Sequence, residues 1–595
     1  MKFKKTLASL LVGMIALTAL APLTACRGDD AAMPDIPDTP GDKDSWLYHD
    51  KEYDVDWYVD LSFFSYPNSG RDETSQELKR LTGATINFTS PVDDSGQMLQ
   101  MMIAGDKLPD VVTIQADSDN VVKLAKEGYV WPLDTLAEHW APTLNDRVEE
   151  DIRAYFEMGD GHLYCLPGNA YSDKYIDEDT KFDSNGGLLV RNDWYEWYIA
   201  QPNAKDITKP SGLKDAMARV KEQFTGTGAG KVETFTGMLL DQFTGTGNVS
   251  TIYLSQYFGA PFEDAEGNYQ DVMETAQYKE MLAWLNELYR DGLIRPSNLT
   301  AQMDGIGGVI SRGEAFVTSV APQNYYYSYV NAYRNGVEYV PLILTNEAGE
   351  TPVIQDLTGN GFLVTMISKK AKNIDQIIKL LDFIYSEEGN RLLMFGKEGD
   401  MWNWADEEHT QVQYTEKYLN AKKNQELSKY GCNCLTVMMN LAYLDPITSH
   451  EGDLEERLYF DNLKRPIRPY CYSYKISWPK LDPSHKDYVD IIRVKTKMDA
   501  RWGEYLPDII KSNSAEKSVS QYTATIEAMN RAGRERYLEF YSRSYTENKQ
   551  KMSVTWGWPK NDPAFKAPTL RNADGTFSND PIPATGDPYY LIAMN

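Results

Sequence analysis

The chain has little of what most enzymes use for covalent chemistry. Only 6 of its 595 residues are histidine and 5 are cysteine. It contains no Gly-x-Ser-x-Gly nucleophile elbow and no Walker-type phosphate loop, and its Thr-Gly-Thr-Gly repeats at 225–228 and 244–247 lack the Lys-Ser/Thr that such a loop needs. These absences argue against a serine hydrolase and a P-loop enzyme. They leave a glycosidase open, because 87 acidic residues allow a catalytic carboxylate pair by chance alone.

Positive charge is also scarce. The chain has 60 Lys and Arg against 87 Asp and Glu, a formal net charge of -27. So acidic a protein is a poor partner for nucleic acid or for an anionic membrane surface, since both repel it. The balance is compatible with a neutral or weakly polar ligand. It disfavours strong polyanions such as phosphates unless arginines cluster locally.

The amino terminus carries a secretory signal. Lys2, Lys4 and Lys5 precede a mostly apolar segment at residues 7–20, and Leu-Thr-Ala-Cys closes it at Cys26. The apolar segment is too short and too near the terminus for a stable membrane span. Its ending resembles a lipobox, which implies that Cys26 is lipidated and becomes the first residue of the mature protein. An ordinary signal peptide with a chance cysteine is the alternative.

The remaining cysteines fit no zinc motif. Cys432 and Cys434 are too close for a relaxed mutual disulfide. A bridge from one of them to Cys471 and a set of free thiols that includes Cys165 both stay open outside the cytoplasm. The acidic stretch at 177–185 misses the spacing of a calcium loop, so we expect a solvated acidic loop, no bound metal and no cofactor.

Strand and helix patterns alternate after the signal. Residues 26–50 are rich in Asp, Pro and Gly and predict a flexible tether. Residues 54–64 alternate apolar and polar side chains, which predicts a strand with Val55 and Phe63 on one face. The later patterns predict helices at 71–81, 93–104 and 120–126 and strands at 85–89 and 110–114. Such alternation indicates a mainly parallel sheet covered by helices on both faces.

Residues 359–404 hold the most specific pattern. An apolar strand at 361–367 leads into a helix whose Ile374, Ile377 and Leu381 share one face. A second short helix follows and ends near Gly396. A polar loop with two tryptophans completes the stretch.

Four motifs carry a family resemblance. LLDFIYSEEG at 380–389, GKEGDMW at 396–402, MIAGDKLPDVVTI at 102–114 and LAKEGYVWPLD at 124–134 are similar to family-1 extracellular solute-binding proteins. These proteins are the lipid-anchored receptors of ABC sugar importers. The resemblance covers about residues 54–404 and, more loosely, 508–541.

The resemblance implies an α/β protein with a two-lobed, periplasmic-binding-protein-like fold of type II. It implies discontinuous lobes, a hinge and a helix-rich carboxyl-terminal part. We expect a signal peptide at 1–25, a tether at 26–50, a first lobe at 51–168 plus 357–405, and a second lobe at 169–356 plus 406–595.

Aromatic residues suit a sugar ligand. They make up 12% of the chain, with 39 Tyr and 13 Trp. A flat ring matches the C–H face of a sugar, while amides and carboxylates match its hydroxyls. The candidate ligand-binding residues in loops after strands are Tyr66, Gln115, Asp117, Tyr171, Gln323, Tyr325, Trp402 and Trp404. For each aromatic residue, a packed or merely exposed side chain is the alternative.

The resemblance implies a function without catalysis. We expect the substrate-binding lipoprotein of an ABC transporter, which captures an extracellular oligosaccharide between its lobes and delivers it to the transmembrane permease subunits. We expect a monomer outside the cytoplasm, held to the cell membrane by its lipid, with no nucleic-acid partner. The alternatives are a surface glycan-binding lipoprotein that is not coupled to import, a secreted glycosidase, and a peptide ligand in place of a sugar.

Overall fold

A computed structural model describes residues 46, 51–93, 96–116, 118–170, 184–244, 247–356, 360–435, 438–452, 455–463, 465–472, 476, 485–567, 570–571 and 577–578. The strands are β1 (Tyr53–Val59), β2 (Ala84–Thr89), β3 (Val111–Gln115), β4 (Leu166–Ala170), β5 (Gly187–Arg191), β6 (Thr236–Leu240), β7 (Phe243–Thr244), β8 (Gly247–Asn248), β9 (Ala315–Val320), β10 (Tyr339–Pro341), β11 (Ile354–Gln355), β12 (Asn360–Ile367), β13 (Trp402–Trp404), β14 (Val412–Tyr414), β15 (Cys471–Tyr472), β16 (Leu570–Arg571) and β17 (Phe577–Ser578). The helices are α1 (Glu73–Thr82), α2 (Gln97–Ala104), α3 (Asp119–Lys126), α4 (Leu133–Trp140), α5 (Pro142–Arg147), α6 (Glu150–Phe156), α7 (Asn192–Ile199), α8 (Pro210–Phe224), α9 (Val249–Tyr257), α10 (Ala276–Arg290), α11 (Met303–Ser311), α12 (Tyr326–Arg334), α13 (Ile374–Tyr385), α14 (Glu387–Phe395), α15 (Glu416–Lys423), α16 (Leu441–Ile447), α17 (Glu455–Asn462), α18 (Tyr488–Ile510), α19 (Ala515–Arg531) and α20 (Arg534–Lys551).

The first lobe is built on a five-stranded sheet in the order β2-β1-β3-β12-β4. Strand β1 is parallel to β2 and β3, and β12 is antiparallel to β3 and β4. Buried polar groups tie the middle strands together: the Trp57 indole donates to Thr113 Oγ1 at 2.8 Å, and the hydroxyls of Thr113 and Thr365 bond at 2.8 Å. The carboxyl ends of β1, β2, β3 and β4 and the amino end of β12 therefore share one edge, which we call the first rim.

The second lobe is built on a four-stranded sheet in the order β10-β5-β9-β6. Strands β6 and β9 are parallel, while β5 is antiparallel to both β9 and β10. All six residues of β9 are buried, as expected for a strand covered on both faces. The carboxyl ends of β6, β9 and β10 and the amino end of β5 form a second edge, the second rim.

The alternation predicted for the first lobe is confirmed, with helix ends set by local chemistry. Asp72 caps α1 by accepting a hydrogen bond from the Ser75 backbone N–H at 2.8 Å. Gly83 ends the same helix with a positive φ of 75°, which a glycine adopts without strain. The predicted first strand is too long, because β1 ends at Val59. The chain turns there, where Leu61 N–H donates to Val59 O at 2.9 Å and Phe64 N–H donates to Leu61 O at 3.2 Å, and Phe63 is left exposed rather than on the buried face.

The pattern predicted for residues 359–404 is present. Strand β12 enters α13, whose Ile377, Ile378 and Leu381 are fully buried. Burial of each such side chain contributes about 1.5–3 kcal/mol. Ser386 then caps α14 by accepting from Gly389 N–H at 2.9 Å, and Gly396 ends that helix with a φ of 85°.

The carboxyl-terminal part divides between the two cores. Residues 412–447 place buried side chains, among them Tyr414, Tyr418 and Leu444, in the core of the first sheet. We predicted that residues 406–595 belong to the second lobe. Residues 412–447 instead join the first lobe, because their apolar side chains cover α14 and α1. From α17 onward the chain packs on the second sheet: Tyr459 stacks on Tyr333 with ring centroids 4.3 Å apart.

Helices α18, α19 and α20 pack against one another, and α18 and α19 also pack against α10. The Asn286 side-chain amide joins them to α10 by donating to Ile510 O at 3.0 Å and Ser512 O at 2.7 Å. A buried ion pair between Lys549 and Glu263, 2.9 Å apart, fixes the end of α20 to the second lobe.

The described cysteines, Cys165, Cys432, Cys434 and Cys471, form no disulfide with one another. The open alternative of a bridge to Cys471 is therefore not realised among them. Within the described part of the chain, no helix is both long and apolar enough to cross a membrane.

Candidate functional site

The two rims border the candidate site. The chain passes between the lobes three times: from β4 to β5, from β11 to β12, and from α16 to α17. Gln355 in β11 and Asn360 in β12 are close in sequence, so their Cα atoms lie within about 18 Å of each other. Open α/β sheets bind ligands beyond the carboxyl ends of their strands, and ligand sites favour the space between domains. Both rules point to the space between the rims.

The first rim presents two exposed phenyl rings. Phe63 follows β1 and is 69% exposed, and Phe362 near the start of β12 is 47% exposed. Strand β3 lies between them and ends at the exposed Gln115. Because neighbouring strands are about 4.8 Å apart, β1 and β12 are roughly 10 Å apart across the sheet.

A bulge explains the outward position of Phe362. The pairing of β12 with β4 shifts register between Asn360 and Leu363. Gly361 between them has a φ of 88°, and a Cβ there would lie 2.7 Å from Gly168 O. Only glycine fits this approach, and the extra residue turns the next side chain out of the sheet.

A buried carboxylate organises the second rim. Asp241 directly follows β6 and is 2% exposed. Its Oδ1 accepts from the Tyr325 hydroxyl at 2.5 Å and from Gln242 N–H at 2.8 Å, while its Oδ2 accepts from Ala321 N–H at 3.2 Å. The backbone N–H of Asp241 donates to Ser250 Oγ at 2.7 Å, at the start of α9. This network holds the ends of β6 and β9 and the start of α9 together.

Two tyrosines stay protonated beside this carboxylate. Burial, and then the Asp241 charge, raise the pKa of Tyr325 well above its usual value, and the same causes act on the pKa of Tyr253. The Tyr253 ring lies over Gly186, where a Cβ would meet the ring at 2.1 Å. Both phenols therefore remain hydrogen-bond donors at neutral pH.

Exposed amides complete the second rim. Gln323 follows β9, and its side-chain Nε2 donates to Asn185 Oδ1 at 2.9 Å. Asn324 beside it is also exposed. The predicted residues Gln323 and Tyr325 thus lie on one rim, and the predicted Gln115 lies on the other.

Three predicted aromatic residues lie within the first lobe. Tyr66 is buried, stacks on Phe88 with centroids 5.7 Å apart, and donates to Asp72 Oδ1 at 3.3 Å. Trp402 is 2% exposed, and its indole donates to Gly396 O at 2.8 Å. Trp404 is half-buried.

Trp404 contacts two polar side chains. Its indole stacks on His409 with centroids 4.5 Å apart, and the Arg391 guanidinium lies 5.4 Å from the ring centre. Asp117, Tyr171, Cys26 and the acids at 177, 179 and 183 lie outside the described residues. Within the described part of the chain, no group of three His, Cys, Asp or Glu could hold a metal ion.

The sequence predictions did not include Phe63, Phe362, Asp241 or Tyr253. For Asp241 a signal existed, since an acid directly after a buried apolar strand marks the carboxyl edge of a sheet. For Phe362 the signal was the preceding glycine at the start of a strand, which suggests a bulge.

A separate groove lies between α10 and α19. It has a volume of about 370 Å³, and Leu282, Val519, Tyr522 and Ile526 are among its lining residues. Its walls offer mainly apolar contacts. Among the described residues that line it, the one amide, Asn286, already donates to Ile510 O and Ser512 O.

Comparisons with known proteins agree with this architecture. The family model of the bacterial extracellular solute-binding protein matches residues 72–391. The fold is similar to that of the S. pneumoniae ABC-transporter substrate-binding protein FusA in complex with kestose, with 17% identity, 84% of this chain and 100% of that chain covered, and a TM-score of 0.64.

Two further solved structures share the fold. An extracellular solute-binding protein from Bifidobacterium longum subsp. infantis has 14% identity over 84% of this chain and 99% of that chain, with a TM-score of 0.65. The alginate-binding protein AlgQ2, solved without calcium ion, has 16% identity over 85% and 100%, with a TM-score of 0.58. Among curated protein sequences, none matches the chain. The two-lobed fold predicted from sequence is confirmed.

Proposed function

The chain belongs to the bacterial extracellular solute-binding protein family, and from this premise we propose that it captures an extracellular oligosaccharide between its two rims for an ABC importer. The family and the fold support a binding protein rather than a catalyst. FusA, which shares the fold, was solved with kestose, a neutral oligosaccharide. At 17% identity that ligand is a guide for this chain and not an assignment.

One observation carries the proposal: the first rim presents two exposed phenyl rings, and the second rim presents two exposed amides. Phe63 and Phe362 offer flat apolar faces that match the C–H faces of sugar rings. Gln323, Asn324 and Gln115 are exposed and offer donors and acceptors for hydroxyl groups. A peptide would use unpaired strand edges or charged pockets, and neither is the main feature of the described rims.

The buried members of the network position the exposed ones. Tyr325 and Asp241 hold the loop that carries Gln323, because the Tyr325–Asp241 hydrogen bond and the Ala321–Asp241 hydrogen bond both fix the residues after β9. Tyr325 therefore supports the site, and Tyr253 borders it. Asp117 and Tyr171 remain candidate contacts from the first rim and the first crossing.

The mechanism we propose is hinge closure. A ligand that contacts both rims has extra affinity for the state in which the rims are close, so it shifts the population toward the closed protein. The chain segments that cross between the lobes absorb the rotation. The closed receptor then docks on the permease, and no covalent bond changes.

The proposed location in the cell follows from the amino terminus. We propose that residues 1–25 are removed, that Cys26 carries the lipid, and that residues 26–50 tether the lobes to the outer face of the cell membrane. Stable anchoring takes more than one acyl chain. Cys26→Ser should move the protein from the membrane fraction to the soluble fraction or leave the signal uncleaved, and unchanged detergent-dependent association would remove the lipid anchor from the proposal.

Binding without turnover is the decisive experiment. The mature protein is screened by thermal shift and calorimetry against neutral oligosaccharides, and the mixtures are analysed for products by chromatography. A ligand at about 100 times its dissociation constant adds about 2.7 kcal/mol to the free energy of unfolding. Products would establish the glycosidase alternative, and stabilisation by peptides alone would overturn the sugar assignment. Loss of import on deletion of the gene would separate a transport receptor from a surface glycan-binding lipoprotein.

A further inference from the structure

Two carboxyl-terminal helices of the second lobe also contact the first lobe. The Tyr488 hydroxyl at the amino end of α18 donates to Asp119 Oδ1 at 3.3 Å, and Asp119 follows β3 at the first rim. The Lys551 ammonium at the carboxyl end of α20 donates to Glu157 O at 3.0 Å, directly after α6. These two hydrogen bonds are noncovalent bridges between the lobes, separate from the three crossings of the chain.

Helix α18 projects from the second lobe toward the first rim. Its Trp502 is 6% exposed and lies 6.2 Å from the ring of Tyr278 in α10, and Val494 packs on the same core. Tyr488 precedes Val494 by six residues, which is about 9 Å along a helix axis. Helix α18 also packs on β7 and β8, which follow β6 at the second rim. The helix therefore reaches from one rim to the other.

The amino end of α18 is braced by α20. Asp487, beside Tyr488, pairs with Arg536 of α20 at 3.2 Å. Helix α20 is itself held to the second lobe by the buried ion pair between Lys549 and Glu263. Tyr488 therefore moves with the second lobe, and its bond to the first rim restrains that lobe as a whole.

Helices α20 and α6 form a packed contact around Lys551. The Lys551 side chain is exposed overall, but burial of its ammonium lowers its pKa, against the opposing effect of the Glu157 charge. Burial and neighbouring phenols, including that of Tyr155 in α6, raise the pKa of Tyr541 in α20 well above its usual value. A hydrogen bond from an ammonium is charge-assisted and stronger than a neutral one. The Lys551 bond is therefore part of an interface between the lobes and not a chance approach of two surface groups.

We propose, on the basis of the proposed function, that Tyr488 and Lys551 are positioning residues of ligand capture, which hold the lobes in the closed state through Asp119 and Glu157. A separation of about 1 Å takes either pair beyond hydrogen-bond range, so opening of the lobes breaks both bonds. Two hydrogen bonds are few enough for thermal opening, so a sugar can still enter. The bonds raise the fraction of molecules that is closed before the sugar arrives, and the apparent affinity rises with that fraction.

A distance measurement without any sugar tests the inference. Spin labels are attached at Met101→Cys in α2 and Glu222→Cys in α8, both exposed, in the mature protein with Cys26→Ser. Pulsed electron–electron double resonance gives the distribution of distances between the two labels. In Tyr488→Phe/Lys551→Met, we expect population to move to a second interlobe distance, because the open state is favoured. The parent's distribution in this variant would overturn the inference.

A matched variant controls for the loss of one hydroxyl and one charge. Tyr505 on α18 is half-buried, and its hydroxyl has no hydrogen-bond partner among the described residues. Lys497 on the same helix is exposed. Tyr505→Phe/Lys497→Met should keep the parent's distances, and a sample without the two introduced cysteines corrects for label on native thiols. An equal shift in this control would overturn the assignment to Tyr488 and Lys551.

Sugar affinity gives a second reading. Calorimetry uses the oligosaccharide that stabilises the parent most in the thermal-shift screen. Tyr488→Phe should weaken its binding at least threefold. In an Asp119→Ala background the same substitution should have no further effect, because the partner of the hydroxyl is already absent. Equal losses in the two backgrounds would contradict the bond between Tyr488 and Asp119 as the cause.

The two measurements keep the claims apart. Absence of binding by every sugar of the screen contradicts the proposed function, whatever the distance measurement shows. Sugar binding together with unchanged interlobe distances in Tyr488→Phe/Lys551→Met contradicts the inference alone.

Discussion

Truncation of Phe63 should separate ligand binding from stability. The ring follows β1 at the first rim and is 69% exposed, so only about a third of it is covered by protein. Full burial of a phenyl side chain contributes about 1.5–3 kcal/mol, and a third of that is at most about 1 kcal/mol. Phe63→Ala should therefore lower the free energy of unfolding by less than about 1 kcal/mol.

The expected effect on binding is larger. Stacking of a flat ligand on an aromatic side chain is worth about 1–3 kcal/mol. If a sugar ring covers Phe63, the variant should bind about 5- to 150-fold more weakly. Phe362, on the far side of β3, should show a similar loss when truncated.

The assay pairs calorimetric titration of the best oligosaccharide with urea denaturation of the free protein. Met101→Ala is the matched control, because Met101 is an apolar side chain of the same lobe, 68% exposed, within α2 and not in a loop after a strand. The control should keep both affinity and stability. Parental affinity in Phe63→Ala and in Phe362→Ala would refute the role of the first rim as a stacking surface.

Three further outcomes are expected. Trp402→Ala should lower the free energy of unfolding by about 3–5 kcal/mol in urea denaturation, because the indole is buried and hydrogen-bonded. Tyr325→Phe should cost roughly 1.5–3 kcal/mol in the same assay, because Asp241 loses a charge-assisted hydrogen bond. Cys432 and Cys434 should resist a thiol reagent at pH 8 in the native protein, because burial raises the pKa of each thiol from 9.0 to about 12 and the thiolate is the reactive form. The raised thiol pKa values leave the free energy of unfolding unchanged below pH 9. Their effect is to lower the free energy of unfolding as the pH rises from 9 toward 12, because only the unfolded chain then releases these protons.

Controls exist for each of these variants. Trp404→Ala should cost less stability than Trp402→Ala, because Trp404 is only half-buried. Tyr327→Phe alters an exposed hydroxyl near the same rim and should be neutral. Rapid labelling of native Cys432 at pH 8 would contradict its burial, and equal stability of Tyr325→Phe and the parent would show that the Asp241 network does not hold the second rim.

Local pattern was enough to predict the framework of the first lobe. The stop of α1 at Gly83 and the apolar face of α13 depend on residues close in sequence, so helix-stop and periodicity rules found them, although the helix predicted at 71–81 began before its cap, Asp72. Trp402 was a candidate ligand contact, and the structure shows the packed side chain that was left open as its alternative. Long-range contacts were not needed for these elements.

The rims were harder to predict, because a tight turn and a contact between distant residues shape them. Strand β1 ends in a local turn, in which Leu61 N–H donates to Val59 O, and this turn interrupts the alternation that placed Phe63 on the buried face. Phe362 turns outward because Gly361 approaches Gly168, almost two hundred positions away. No pattern along one segment contains this second contact.

Contacts between residues distant in sequence also explain why the carboxyl-terminal part divides between the two lobes. Residues 412–447 show no family motif, and their apolar side chains could cover either lobe. Their packing follows from tertiary partners such as Glu73 and Asp400, which both pair with Lys417. Sequence alone could not choose between these surfaces.

A crystal structure with the best neutral oligosaccharide tests the central claim most directly. We expect sugar rings over Phe63 and Phe362, hydroxyls on Gln115 and Gln323, and contacts from both lobes to one ligand molecule. A ligand bound in the groove between α10 and α19, or held by one lobe alone, would contradict capture between the rims.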